Sequence, residues 1–327
     1  MVPLSQARAH ALPSQRSRMI HVQGLTKTYR GRAVVDGISF EAGRGEIVGF
    51  LGPNGAGKST TMRILSGFLL PTAGKVEIAG HDVVEQSLAA RRHVGYMPED
   101  VPLYPEMRVE EYLRYRAGIK GVARDRLTAQ VEATMERCGV AQVRRKLIGT
   151  LSKGYRQRIG LADALVHDPS ILILDEPTNG LDPNQIRSVR EIIRSLAGQH
   201  TVLLSTHILA EVEAVCERVI ILDGGQIRAT GDPATLARRL ERGSRVTLEA
   251  RGATEAVLRK IQGVTKITSD ALADDWTRFH LDVQGTEDPR ETIFRTASRE
   301  QWTLRHLSME PATLEEIFAG LTAPQPQ

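Results

Sequence analysis

Gly52-Pro53-Asn54-Gly55-Ala56-Gly57-Lys58-Ser59 is the stretch on which the reading of the fold turns. It fits G-x-x-x-x-G-K-[ST], a pattern that carries meaning only between a strand and a helix. Upstream, Glu46-Ile47-Val48-Gly49-Phe50-Leu51 is a short apolar run of the kind found in buried strands, and downstream Ser59 to Leu65 reads as a helix. Both flanks are therefore as required. In such a turn the glycines let backbone N–H groups curl around phosphate oxygens, and the helix N-terminus adds its positive end. Lys58 is then placed to neutralise β- and γ-phosphates, the Ser59 hydroxyl to ligate Mg²⁺, and Thr60 to extend the phosphate-binding set.

Working outward, Ile171-Leu172-Ile173-Leu174 and Thr201-Val202-Leu203-Leu204 are further buried-strand patterns. Between them lies Asn184 to Leu196, with Ile186, Val189, Ile192, Ile193 and Leu196 at helical spacing. This alternation predicts an α/β domain with a mixed, largely parallel sheet. The strand at 171–174 runs into Asp175-Glu176, and carboxylates at the C-terminal end of a parallel strand sit where ligands bind in open α/β sheets. Asp175 is assigned to the Mg²⁺ shell and Glu176 to polarising an attacking water. Together the two motifs define a P-loop NTPase. From about 100 to 165 the pattern is helical, as in Glu110 to Arg116 and Arg126 to Arg137, and reads as an insertion into the sheet domain.

Composition narrows the class. The 327 residues are 41% hydrophobic and 25% charged, which excludes a disordered, collagen-like or coiled-coil chain. No stretch approaches the roughly 18–20 apolar residues a membrane helix needs. Two cysteines, Cys138 and Cys216, are too few for a disulfide framework and suit a reducing compartment. The formal net charge of +4 comes partly from Arg8, Arg16 and Arg18 at the start, where there is no acid, so no basic stripe for nucleic acid is expected.

The reading of the organisation is a disordered basic leader over 1–18, the P-loop NTPase domain over 19–240, an accessory α+β domain over 241–321 and a short disordered tail over 322–327. Met19 is an alternative start, because strand-like sequence begins at Ile20 and Val22. Beyond 240, strand patterns at 245–251, 264–268, 278–283 and 302–309 and helical patterns at 254–261 and 289–298 give the order β-α-β-β-α-β, typical of ferredoxin-like domains. Thr313 and Glu316 form a capping box for a terminal helix through Leu321.

Leu151-Ser152-Lys153-Gly154-Tyr155-Arg156-Gln157-Arg158, just upstream of the strand at 171, specifies the class further. Here the sequence resembles the ATP-binding subunits of ABC transporters, whose signature is usually Leu-Ser-Gly-Gly-Gln. Other elements follow in the family's order over about 20–240. Tyr29 stands where the adenine-stacking aromatic belongs, Gly180-Leu181-Asp182 matches the D-loop, and His207 after Ser205-Thr206 matches the switch histidine. Taken alone, Tyr29 is a packing aromatic and His207 an exposed loop histidine; their places in the series promote them. The resemblance implies ATP and Mg²⁺ as ligands, with ATP sandwiched between two such chains. Ser152 and Gly154 of one then face the γ-phosphate held by Lys58 of the other. It also implies a homodimer or paired ATPase subunit that drives a separate multi-span permease. The protein would be cytoplasmic and peripheral on the membrane through that permease, which would dock near Tyr104 and Glu110 to Tyr115.

Two departures from the family pattern stand out. Gly95-Tyr96-Met97-Pro98-Glu99 places Glu99 where the Q-loop glutamine belongs, so a carboxylate approaches Mg²⁺ and adds negative charge beside the triphosphate. The signature carries Lys153 and Tyr155 in place of Gly and Gln. These features, with Gly180-Leu181-Asp182-Pro183-Asn184-Gln185 and the Thr313 to Phe318 ending, resemble the type-two exporter branch near the ATPases of gliding-motility and multicopper-enzyme-maturation systems. The alternatives are a soluble ABC ATPase acting on ribosomes or nucleic acid, which usually has two cassettes or long coiled coils, and an importer ATPase with a regulatory tail.

Overall fold

Ile47–Leu51 (β3) is buried at all five positions, which requires a strand covered on both faces. In the computed structural model, which describes residues 18–233, 236, 244–283 and 288–310, β3 lies inside a six-stranded sheet. Its other strands are Val94–Met97 (β6), Ile171–Asp175 (β7), Thr201–Thr206 (β8), Arg218–Asp223 (β9) and Gln226–Gly231 (β10), in the order β10-β9-β3-β8-β7-β6. The pairs β3–β8, β3–β9, β7–β8 and β6–β7 are parallel, so the C-terminal ends of β3, β7 and β8 share one edge. Residues 52–57, 175–176 and 206–207 all emerge there.

A second sheet, absent from the reading of the sequence, is antiparallel. It comprises Arg18–Tyr29 (β1), Arg32–Gly43 (β2), Ala73–Ile78 (β4) and His81–Asp82 (β5), in the order β2-β1-β4-β5. The β1–β2 register shifts repeatedly, and the strands carry Gly24 and Gly37 at positive φ. Such irregularities erase the strict alternation by which strands are recognised. One apolar cluster, including Ile20, Leu25, Phe40, Phe50, Met62 and Ile173, joins the two sheets around Lys58–Leu65 (α1).

Between β6 and β7 the chain is helical: Val109–Ile119 (α3), Leu127–Arg137 (α4), two 3₁₀ turns and Lys153–Leu165 (α5). No strand is present there among the described residues. Ser87–Arg92 (α2) precedes β6, while Pro183–Ser195 (α6) and Leu209–Val215 (α7) flank β8. Asp163 of α5 fastens the helical segment together. Its carboxylate is bidentate with Arg116 (2.8 and 2.9 Å) and lies 3.1 Å from the Lys120 ammonium.

The chain forms two compact units that divide between Thr230 and Gly231. The second contains Ser244–Arg251 (β11), Glu255–Leu258 (α8), Val264–Ala271 (β12), Thr277–Val283 (β13), Arg290–Arg299 (α9) and Thr303–Glu310 (β14). Its sheet order is β12-β13-β11-β14, antiparallel throughout. Val246, Leu248, Leu281 and Phe279 from the sheet pack with Leu258 and Ile293 from the helices in a core of its own. Residues 1–17, the Thr313/Glu316 capping box, the helix through Leu321 and the tail 322–327 lie outside the described residues. No described helix is long and apolar enough to cross a membrane.

Candidate active site

Glycine is required in the 52–57 turn for two different reasons. A Cβ at Gly52 would stand 2.5 Å from the Leu222 carbonyl oxygen, so backbone crowding excludes one. Gly57 has φ +99° and a Cβ there would stand 2.6 Å from the Val34 carbonyl oxygen, so both conformation and space exclude one. Gly57 caps α1 from this left-handed geometry, and the first N–H groups of the helix face the cleft without a side-chain cap.

Lys58 is 5% exposed and donates to the carbonyl oxygens of Gly52 (2.7 Å) and Pro53 (3.2 Å). Its ammonium also lies 3.5 Å from Glu176 Oε1. The Ser59 hydroxyl donates to Asp175 Oδ1 at 3.1 Å, and the Ser205 hydroxyl donates to the same oxygen. Ser205, from the adjoining strand β8, was not singled out from the sequence as a site residue. The hydroxyl-rich end of a buried strand was its only signal.

Glu176 has φ +49°, a conformation that non-glycine residues adopt at some cost, and its N–H donates to the Ser205 carbonyl at 3.1 Å. The carboxylate is 4% exposed and faces His207 Nδ1 at 2.9 Å. Burial raises its pKa above the ordinary carboxyl value, while Lys58 and His207 pull against that rise. A carboxylate held so, between the Lys58 ammonium and the His207 ring, is suited to polarising water.

One cleft of about 510 Å³ is lined by Asn54, Gly55, Gly57, Lys58, Ser59 and Thr60 together with Glu99, Glu176, Asn179 and His207. Gly52, Pro53 and Ala56 stand in the same turn, and Asp175 lies behind Ser59. Asn179, which the sequence reading missed, donates to Glu99 Oε1 at 2.9 Å. Tyr29 closes β1 and is 47% exposed, with Lys27 Nζ 5.2 Å above its ring, but it does not line the cleft. Ser152, Gly154 and Asp182 do not line it either. Ser152 caps α5 and Asp182 caps α6, each accepting from the backbone N–H three residues on. Gly154 lies against Gln185, whose Oε1 would be 2.5 Å from any Cβ placed there.

The donor set fits Mg²⁺. The hydroxyl of Ser59 beside the carboxylate of Asp175 is an all-oxygen pair, and Mg²⁺ beside phosphates typically takes one or two protein oxygens and fills its shell with phosphate and water. Glu99 and Glu176 add two further carboxylates to the same cleft.

A phosphate-cradling turn, a buried lysine, a hydroxyl paired with a strand-end carboxylate and a second carboxylate beside a histidine define a P-loop ATPase. Comparison with known proteins identifies the class further. The family described as ABC transporter matches residues 35–179, and an AAA domain description matches 147–213. The Nod factor export ATP-binding protein I of Burkholderia thailandensis is 36% identical over 313 residues, covering 94% of this chain and 98% of its own. The daunorubicin resistance ATP-binding protein DrrA3 of Streptomyces coeruleorubidus is 33% identical, covering 93% and 95%. Among solved structures, an ATP-binding subunit of an ABC transporter superposes with TM-score 0.62 at 31% identity, covering 68% of this chain and 92% of that one. A dimeric post-hydrolysis cassette bound to ADP and Pi shares the fold, with TM-score 0.60 at 24% identity and coverage of 65% and 98%. The chain belongs to the ATP-binding subunits of ABC transporters and is an ABC ATPase.

Proposed function

We propose that this protein is the ATP-hydrolysing subunit of an exporter of the type-two branch, near the gliding-motility and multicopper-enzyme-maturation ATPases. It dimerises on ATP and drives a separate multi-span permease, to which it attaches on the cytoplasmic face of the membrane. The observation that carries the reading is the cleft in which Lys58, Ser59, Glu176 and His207 converge. Two further facts support it. Ser152 and Gly154 stand outside the cleft of their own chain, as expected of residues that complete a partner's site. The relatives that match nearly the full length, past residue 240, are named for export of Nod factor and resistance to daunorubicin.

In this scheme the γ-phosphate takes over the Lys58 ammonium from the carbonyls of Gly52 and Pro53. Tyr29 stacks on the base, and Asp182 with Ser152 and Gly154 acts across the dimer. Glu176 orients a water for in-line attack and receives its proton as ADP departs, while His207 holds the carboxylate and the γ-phosphate in register. Ser59 and Asp175 would hold Mg²⁺ with Glu99 near it, and the ion would supply neutralisation of charge on the phosphate oxygens.

The test measures ATP turnover of the wild-type and Glu176→Gln proteins, then uses the variant with ATP to recover partners from detergent-solubilised membranes. Glu176→Gln is expected to lower turnover by about 10²-fold or more, as for loss of a general base, and to retain ATP. A multi-span protein should co-purify stoichiometrically. Equal turnover would refute the role of Glu176. Recovery of ribosomes or nucleic acid without a membrane protein would favour a soluble ABC machine.

A further inference from the structure

Glu99 stands two residues beyond β6, at the point where the chain leaves the sheet for the helical segment. Its Oε1 accepts from the side-chain amide of Asn179 at 2.9 Å. Asn179 belongs to the turn carrying the hydrolytic carboxylate, and its N–H donates to the Glu176 carbonyl at 3.1 Å. Two residues after Glu99, Val101 packs on Gly160 of α5, so closely that a Cβ there would meet Val101 Cγ1 at 2.6 Å. The other end of the helical segment reaches the same turn. Lys153 Nζ lies where a Gly180 Cβ would be 2.2 Å away, and just beyond the turn Gly154 lies against Gln185 of α6. The turn after Glu176 is thus held by both ends of the helical segment, and on the cleft side the link is one carboxylate–amide hydrogen bond.

We propose that Asn179 is a positioning residue for hydrolysis: by holding Glu99 against the turn that carries Glu176, it sets the hydrolytic carboxylate according to the placement of the helical segment. The inference rests on the assignment of Glu176 to hydrolysis. The chemistry favours Asn in this role because its side-chain amide donates to the carboxylate at 99 without adding a charge of its own. An aspartate of the same shape would set one anion against another.

A swap tests the proposal in the full-length chain. Asn179→Asp places two carboxylates in contact, and adding Glu99→Gln restores one donor and one acceptor with their roles exchanged. Asn179→Asp is expected to lower kcat about tenfold, as for loss of a hydrogen bond to a charged group, with KM for ATP changing less than about twofold. The double variant should return to within about threefold of Glu99→Gln alone, leaving little of the Asn179→Asp effect. Wild-type kcat in Asn179→Asp, or no recovery in the double variant, overturns the proposal. Where Glu99→Gln itself silences turnover, the same four proteins are compared by how far Mg²⁺ changes ATP affinity, and additive effects of the two substitutions overturn it. Wild-type turnover that survives Glu176→Gln refutes the underlying assignment instead, so the two failures are distinguishable.

Discussion

Removing the carboxylate of Asp163 is a sharp probe of how the helical segment is held. Asp163 is 6% exposed, while the side chains of Arg116 and Lys120 retain 29% and 18% exposure. Burial alone would raise the Asp163 pKa, but hydrogen bonds from Arg116 and the charge of Lys120 overcome that and hold it below the usual carboxyl range. Burial lowers the Lys120 pKa, and Asp163 is the main group opposing that fall. Asp163→Asn therefore leaves two neighbouring cations in a half-buried site with Tyr112 and His167 nearby and no carboxylate bonded to either, the exposed Asp168 standing farther along the same pocket. Breaking a buried pair costs about 3–5 kcal/mol, and the partial exposure of both cations argues for about 3 kcal/mol. For a unit of this size that is a drop of about 6–12 °C in the first thermal transition, followed by circular dichroism because the two units need not unfold together.

The pH dependence has a definite sign. In the wild type, the depressed Asp163 pKa contributes stability that is fully present above its unfolded value and lost as pH falls through the folded one. In the variant, Lys120 loses the attraction that supported its charged form and its folded pKa falls further below the unfolded value. The folded variant then binds fewer protons than the unfolded chain at alkaline pH, so its stability rises with pH and its deficit against wild type shrinks between pH 7 and 9.5. A deficit under about 2 °C at pH 7, or one unchanged at pH 9.5, would refute this account of the seam.

Two other substitutions separate packing from chemistry. Gly57→Ala combines a left-handed φ with a backbone clash, so it should lose about 1–3 kcal/mol of stability and weaken ATP binding at least about tenfold, read by calorimetry. Gly154→Ala clashes only with the movable end of Gln185, so thermal unfolding should shift by less than about 1 kcal/mol while ATP-dependent dimerisation, read by light scattering, is lost. Intact dimerisation would show that Gly154 does not face the partner's nucleotide.

Much of the site was legible in the chain because its parts are local. The 52–59 turn is written in consecutive residues whose types are dictated by backbone crowding and by phosphate chemistry. Asp175 and Glu176 announce themselves by following four apolar residues, since a strand buried on both faces has no other reason to end in two acids. The parallel pairing of β3, β7 and β8 then follows from their shared apolar character and the helices between them.

The antiparallel sheet of β1, β2, β4 and β5 was not legible beyond its first strand. Register shifts and positive-φ glycines in β1 and β2 break the two-residue period, and pairing partners such as Ile20 and Ile78 are distant in the chain. Asn179 carries no local mark of its role, and Ser205 only the weak one of a hydroxyl at the end of a buried strand. Ser205 acquires one because β8 lies beside β7, and Asn179 because the strand before Glu99 runs at the sheet edge next to the strand before Glu176.

The sequence by itself thus picked out the groups suited to a triphosphate, because glycine, lysine, serine and carboxylate requirements are set by phosphate chemistry and by steric limits within a few residues. Only the tertiary structure decided what those groups lean on: Ser205 behind Asp175, His207 against Glu176, Asn179 against Glu99. These contacts join residues about 30 or 80 positions apart. They form only when parallel strands bring their ends to one edge, and strand order is a property of the packed sheet rather than of any single segment.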